Sequence, residues 1–225
     1  PVLFRASSTW SILYRLMEGA NGAQKVRGVT PLIDKLDQPI FGPEVTLVDD
    51  PTRDWAPGST PFDDEGVPTR KKVIVENGVF KNFIFDMTNG HKDGSGSTGN
   101  GMKKSMWTRG IDVSPNPRFN NLFMSPGDKT FEELVSMMPE GIVVSDVIGF
   151  HSGNILQGHY SMNVGIGFYV KDGKIQGRAM DTMIAGNIYE DFHRIKGMTA
   201  DVEYNPIAYS PEILIDNVSV SGTGE

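Results

Sequence analysis

Apolar residues first recur at helical spacing over residues 8–20, where Trp10, Leu13, Leu16 and Met17 share a face. Ser8 or Thr9 is placed to cap that helix, and Asn21-Gly22 to end it. Residues 23–42 carry no sustained period and read as an ordered connection. A strand is expected over 44–48, stopped by Asp49-Asp50-Pro51, and the proline- and acid-rich stretch 51–69 reads as loop. Two hairpins are predicted with a mechanism. Val73-Ile74-Val75 meets residues 79–85 across Asn77-Gly78, and Phe168-Tyr169-Val170 meets Ile175 across Asp172-Gly173. Both dipeptides tolerate the positive φ angles of a two-residue type I′ turn.

Residues 89–121 lack apolar periodicity and are rich in Gly, Ser, Asn and Pro, the pattern of a long irregular excursion. Further on, short helices are expected over 128–138 and 187–195, and strands over 142–148, 165–170 and 213–220. Several hairpins with a few separated helices predict an α+β fold: a mainly antiparallel, hairpin-rich twisted sheet or barrel-like core. The whole chain, 1–225, reads as one domain. Its abrupt opening at Pro1-Val2-Leu3-Phe4 predicts an N-terminal domain ahead of it.

Charge and composition narrow the function. A net charge of −7 without a basic stripe argues against a nucleic-acid binder, which needs clustered Lys and Arg. The tightest basic cluster, Arg70-Lys71-Lys72, leads into an apolar strand and reads as a gatekeeper or strand-edge feature. There is no cysteine, hence no disulfide, thiolate ligand or cysteine nucleophile. No apolar run approaches the ~20 residues that span a bilayer, and no signal segment is visible. A cytoplasmic location without membrane contact is expected.

Candidate chemistry is sparse. Gly94-Ser95-Gly96-Ser97-Thr98-Gly99 matches GxGxxG, but a dinucleotide site needs a strand before it and a helix after it. The flexible-loop reading is preferred, and the role of loop 94–101 stays open. Asp63-Asp64-Glu65-Gly66 lacks the alternating acids of a calcium loop and reads as a turn or interface element. His151-Ser152-Gly153-Asn154 and the following Gly158-His159 form the best polar constellation, yet the register of a nucleophile elbow is wrong. His151 and His159 are close enough in sequence to approach each other, but no third metal ligand is at hand. Satisfied loop histidines are the simpler account.

Several strings in collinear order resemble the C-terminal region of the TldD/PmbA family, once described as modulators of DNA gyrase. They include Thr30-Pro31-Leu32-Ile33-Asp34-Lys35-Leu36, Pro61-Phe62-Asp63-Asp64-Glu65-Gly66, Ser97-Thr98-Gly99-Asn100, His151-Ser152-Gly153-Asn154 and Ile184-Ala185-Gly186-Asn187. The resemblance covers nearly the whole chain. It implies a metallopeptidase system acting on peptides, in which two related subunits pair. TldD-type subunits carry a His-Glu-x-x-x-His helix and a later cysteine, holding zinc and a water-activating glutamate. By ungapped placement Tyr14, Arg15 and Glu18 stand in those ligand and base positions, and the stretch around Tyr204–Tyr209 has no cysteine. An arginine cannot accept a proton at neutral pH.

The resemblance therefore implies a PmbA (TldE)-like subunit without metal or catalytic residues, with zinc expected only in a TldD-like partner. Asp63, Asp64, Glu65, Ser97, Asn100, His151, Ser152 and Asn154 are the candidate groove or interface residues. Partners are a TldD-like subunit or a second copy, and a peptide. Two rival readings stay open: a homodimeric peptide-binding protein with no peptidase partner, and an independent hydrolase using His151, Ser152 and the acids at 63–65.

Overall fold

The structure, a computed structural model, describes residues 1–104 and 112–222. Part of the excursion expected over 89–121 thus lies outside the described residues. Among the described residues two mainly antiparallel sheets, a two-stranded ribbon (Gly101–Met102 with Asn116–Pro117) and five helices build an α+β fold. The larger sheet runs Ile195–Met198, Ile213–Ile215, Val2–Phe4, Glu140–Ile148, His159–Lys171, Thr182–Asn187, Ser219–Gly222, with Lys174–Arg178 added to His159–Lys171. The second runs Glu203–Tyr204, Ala208–Ser210, Leu122–Met124, Leu47–Asp49, Lys72–Glu76, Val79–Phe80. Both strand orders are open paths, so the barrel-like alternative is corrected: among the described residues no barrel closes.

Helix α1 (Ala6–Gly19) lies between these sheets. Its Ile12, Leu13 and Leu16 join Val2, Phe4, Ile142 and Val144 of the large sheet and Leu47, Ile74 and Leu122 of the second in one core. Period-two alternation sends Leu3, Val143, Val170 and Leu214 to the other face of the large sheet. There Leu134, Val135 and Met138, from helix α4 (Phe131–Ser136) and the residues after it, cover them. Val2–Phe4 is buried on both faces and pairs parallel with Glu140–Ile148 and antiparallel with Ile213–Ile215. Among the described residues no helix is long and apolar enough to cross a membrane.

Local chemistry explains where elements differ from expectation. Helix α1 starts two residues early, with Arg5 as N-cap and no side-chain cap. Ser8 and Thr9 instead sit inside the first turn, and both hydroxyls donate back to the Arg5 carbonyl at 3.0 Å. Asn21 caps α2 (Gly22–Val26) rather than merely stopping α1, accepting from Ala23 N at 2.9 Å. Helix α3 (Met87–Asp93) was not foreseen: it has no apolar stripe and is defined by its ends. Asp86 Oδ1 accepts from Asn89 N at 2.7 Å, and Gly94 closes it at φ +82°. Thr130 and Glu133 form a capping box on α4.

The expected helix over 187–195 shrinks to α5 (Ile188–Asp191), because the chain re-enters the large sheet at Ile195. The expected strand over 213–220 splits at Asn217, φ +54°, into two strands at different places in the sheet. The Arg70–Lys72 cluster is not an edge device, because Lys72 is buried and ion-paired with Asp49 at 3.5 Å.

Both predicted hairpins form. Asn77 and Gly78 take φ +47° and +80°, Asp172 and Gly173 +49° and +70°. The first return strand is only Val79–Phe80. A Cβ at Gly78 would also collide with the Phe41 carbonyl. Gly78→Ala should therefore destabilise by more than the ~1–2 kcal/mol of the left-handed conformation alone. A urea midpoint equal to wild type would refute this.

Candidate functional site

Helix α1 has two working faces besides its apolar one. Trp10, Tyr14, Met17 and Glu18, at i, i+4, i+7 and i+8, line a cavity of about 480 Å³. Trp10 and Met17, expected in the core, are half-buried walls of this cavity. Phe150 closes it from the loop after Glu140–Ile148, with ring centroids 4.8 Å from Trp10 and 5.9 Å from Tyr14. Arg118 and Phe119 form the opposite wall, and Ile207 a third. Arg118 Nη1 donates to Glu18 Oε1 at 3.1 Å. The Tyr14 phenol is held above its ordinary pKa by burial, and next by the adjacent Glu18 carboxylate.

The other face carries Ser8, Ser11 and Arg15, all fully buried. Among the described residues the Arg15 guanidinium has no carboxylate partner and donates only to carbonyls. Its Nε reaches His159 O at 2.9 Å, its Nη2 reaches Phe150 O at 2.7 Å and Ser152 O at 3.0 Å, and Nη1 binds Ser11 O. One side chain thereby fixes the first part of loop 149–158, including the backbone that carries Phe150, and the residue that follows the loop. Burial pushes the Arg15 pKa down to about 10, which leaves it protonated at neutral pH. With four of its five N–H groups occupied and no lone pair to offer, Arg15 serves as neither base nor metal ligand.

Beyond Arg15 lies a buried acid. Tyr160, whose ring centroid is 5.6 Å from the Arg15 guanidinium carbon, donates its hydroxyl to Asp191 Oδ2 at 2.6 Å. Arg194 pairs with the same carboxylate. Burial holds the Asp191 pKa above its ordinary value despite these two donors. Burial, then the Asp191 charge, also raises Tyr160 well above the ordinary phenol. Gly186 is glycine for a reason: a Cβ there would run into the Asp191 carboxylate and the Tyr160 hydroxyl.

The sequence-predicted residues fall into two groups. Asp63, Asp64 and Glu65 are turn organisers, as expected of a turn element. The Asp63 carboxylate accepts from Glu65 N, Val67 N and Gly101 N at 2.9–3.0 Å, and Asp64 from Lys103 N at 2.6 Å. Glu65 accepts from Met87 N, at the start of α3, at 2.7 Å. Ser97 and Asn100 belong to the glycine loop that follows α3. That loop is tied down rather than free: Gly96 N donates to Gly90 O at 3.0 Å and Thr98 N to Phe85 O at 3.1 Å. Asn100 is fully buried and donates to Asp49 Oδ2 at 2.9 Å and Arg118 O at 2.8 Å.

His151, Ser152 and Asn154 form the second group, exposed on the loop that Arg15 holds from within. His151 packs edge-on against Phe150, while His159 Nε2 lies 3.4 Å from Asn187 Nδ2. Among the described residues no hydrogen bond or ion pair joins the 151–154 group to the acids at 63–65. The Glu18–Arg118 pair, Phe119 and Phe150 were not foreseen as a unit. Only the half-polar face of α1 hinted at them, because their partners lie 100 and more residues away in sequence.

A zinc ion does not fit α1. Counted from Tyr14, the motif His-Glu-x-x-x-His places its second histidine at residue 19, which corrects the assignment to Glu18. Position 19 is glycine, and a side chain there would collide with the Tyr189 hydroxyl. Tyr14, Arg15 and Gly19 thus offer neither imidazole nor carboxylate. Among the described residues, no group of three or more His, Cys, Asp or Glu is placed to hold a metal.

Residues 1–222 match the family model described as PmbA/TldA metallopeptidase C-terminal domain. A metalloprotease of Archaeoglobus fulgidus is 32% identical over 183 residues, covering 80% of this chain and 40% of the relative. A PmbA-homologous metalloprotease of Buchnera aphidicola is 28% identical over 99% of this chain and 46% of its own length. The crystal structure of TldE from Thermococcus kodakarensis superposes with a TM-score of 0.89 at 29% identity, over 98% of this chain and 50% of that one. The chain thus spans about half the length of these relatives. It belongs to the TldD/PmbA family and corresponds to that family's C-terminal domain.

Proposed function

We propose that this chain is part of a cytoplasmic subunit that carries no metal of its own and works beside a zinc-bearing TldD-like relative in peptide processing. The observation that supports this most is Arg15. At the position of the motif's glutamate, it is not a degraded base left pointing at solvent. It is a buried structural cation that builds a loop. A helix committed in this way cannot also activate water. The cavity beside it, walled by half-buried aromatic side chains, would then serve to bind or present peptide. Ligand sites are commonly concave, largely apolar and a few hundred Å³ in volume.

The test is co-expression of the full-length protein with a relative that has the complete His-Glu-x-x-x-His motif. The two should co-purify, zinc should follow the relative, and peptide cleavage should require it. Stoichiometric zinc in the isolated protein, lost on mutation of Tyr14 or of another α1 side chain, would overturn the proposal. Self-association without the relative would favour a homodimeric binding protein instead.

A further inference from the structure

The geometry points to a specific occupant for the α1 cavity: an internal peptide residue with an aromatic or long apolar side chain, its backbone amide lying on the Glu18–Arg118 pair. The inference rests on the peptide-binding reading above and names the part of a peptide that is read. Trp10, Tyr14 and Phe150 meet through tilted and edge-on ring contacts and leave a space of about 480 Å³ beside them. Aromatic side chains favour such offset and edge-to-face neighbours. Met17 and Ile207 add adaptable apolar surface.

The polar part of the wall sets the second requirement. Glu18 and Arg118 form an ion pair whose side chains are 15% and 31% exposed, so both ends remain reachable. Glu18 offers acceptor lone pairs and Arg118 further N–H donors. A peptide group brings one donor and one acceptor without net charge and satisfies both. A free terminal carboxylate or ammonium would meet one attractive and one repulsive charge at nearly the same distance, a poor exchange for its hydration. Lys104 also borders this cavity.

The experiment is calorimetric titration of the full-length protein with end-blocked pentapeptides, acetylated and amidated, that carry Phe, Leu or Ala at the centre of an alanine frame. The Phe peptide should bind at least tenfold more tightly than the Ala peptide, as expected from burying one large side chain. Replacing the central amide N–H by an ester oxygen should weaken the Phe peptide severalfold. Unblocked phenylalanine should bind more weakly than the blocked peptide. Met17→Trp, which fills the cavity, should abolish the Phe preference while thermal melting reports that the variant folds. A wild-type measurement independent of any variant is quenching of tryptophan fluorescence by a central p-nitrophenylalanine.

Equal affinity for the Phe and Ala peptides, or a Phe preference unchanged in Met17→Trp, would overturn the inference. Pairing with the zinc-bearing relative is scored separately. Pairing without aromatic preference defeats only the cavity assignment, and aromatic preference without pairing defeats only the subunit reading.

Discussion

Replacing Arg15 with methionine is expected to destabilise the protein by about 3 kcal/mol, although the substitution keeps an unbranched stem and adds apolar character. A buried arginine paired with a carboxylate is often replaceable, because the two desolvation costs disappear together. Among the described residues Arg15 has no such partner. Its removal strands the Phe150 and Ser152 carbonyls, for which no other hydrogen bond occurs among the described residues. Both bonds are part-buried, and a group left there without its partner costs part of the ~1–3 kcal/mol of a fully buried one, to which the lost packing of the buried Arg15 stem adds. Arg15→Lys should fail as well, since one ammonium cannot reach the His159, Phe150 and Ser152 carbonyls that the planar fork spans. Urea denaturation reads the loss, and amide exchange should rise over residues 149–159 before it rises elsewhere. Wild-type midpoints in both variants would show that loop 149–158 holds itself.

That result would also explain why this part of the site was only half legible in sequence. Tyr14 and Arg15 were recognisable as replacements in a zinc motif, whose last place falls on Gly19 rather than Glu18, and that says what the helix does not do. What Arg15 does depends on carbonyls 135 to 144 residues away, and no periodicity encodes those. A local hint was present, since Ser8, Ser11 and Arg15 fall on one helical stripe, with two small residues leaving room beside the long one.

The fold was legible for similar physical reasons and to a similar extent. Asn77-Gly78 and Asp172-Gly173 announce hairpins because few dipeptides tolerate two positive φ angles. Val2–Phe4 could not be found that way. Three residues buried on both faces show no alternation, and their partners are the strands at 142–144 and 213–215. The strand His159–Lys171 was recognised only over its second half, because Ser161, Asn163 and Gly165 interrupt the apolar pattern of the first.

The second large effect is expected at Asp49, read from sequence only as the stop of a strand. Its carboxylate is fully buried. Oδ1 accepts from Asn120 N at 2.9 Å and Asn121 N at 3.0 Å, and Oδ2 accepts from Asn100 Nδ2 at 2.9 Å. Lys72 Nζ lies 3.5 Å from Oδ2 and also donates to Arg70 O at 2.6 Å. Asp49→Asn preserves the shape but leaves the Lys72 ammonium buried without a counter-charge. Breaking a buried pair from one side costs ~3–5 kcal/mol.

Lys72 supplies the diagnostic. Burial already lowers its pKa below that of a free lysine, with Asp49 opposing the shift. Between that lowered pKa and the ordinary lysine value the unfolded chain binds more protons than the folded one, so stability rises with pH across the interval. Without Asp49 the folded pKa falls further, and the rise should begin at lower pH in Asp49→Asn than in wild type. Adding Lys72→Met removes the stranded charge. It should restore much of the lost stability and abolish this part of the pH dependence. Strict additivity of the two substitutions would mean that the pair is not coupled. Coupling would establish that the Lys72 charge supports Asp49, the carboxylate that also holds the Asn120 and Asn121 amides beside the cavity.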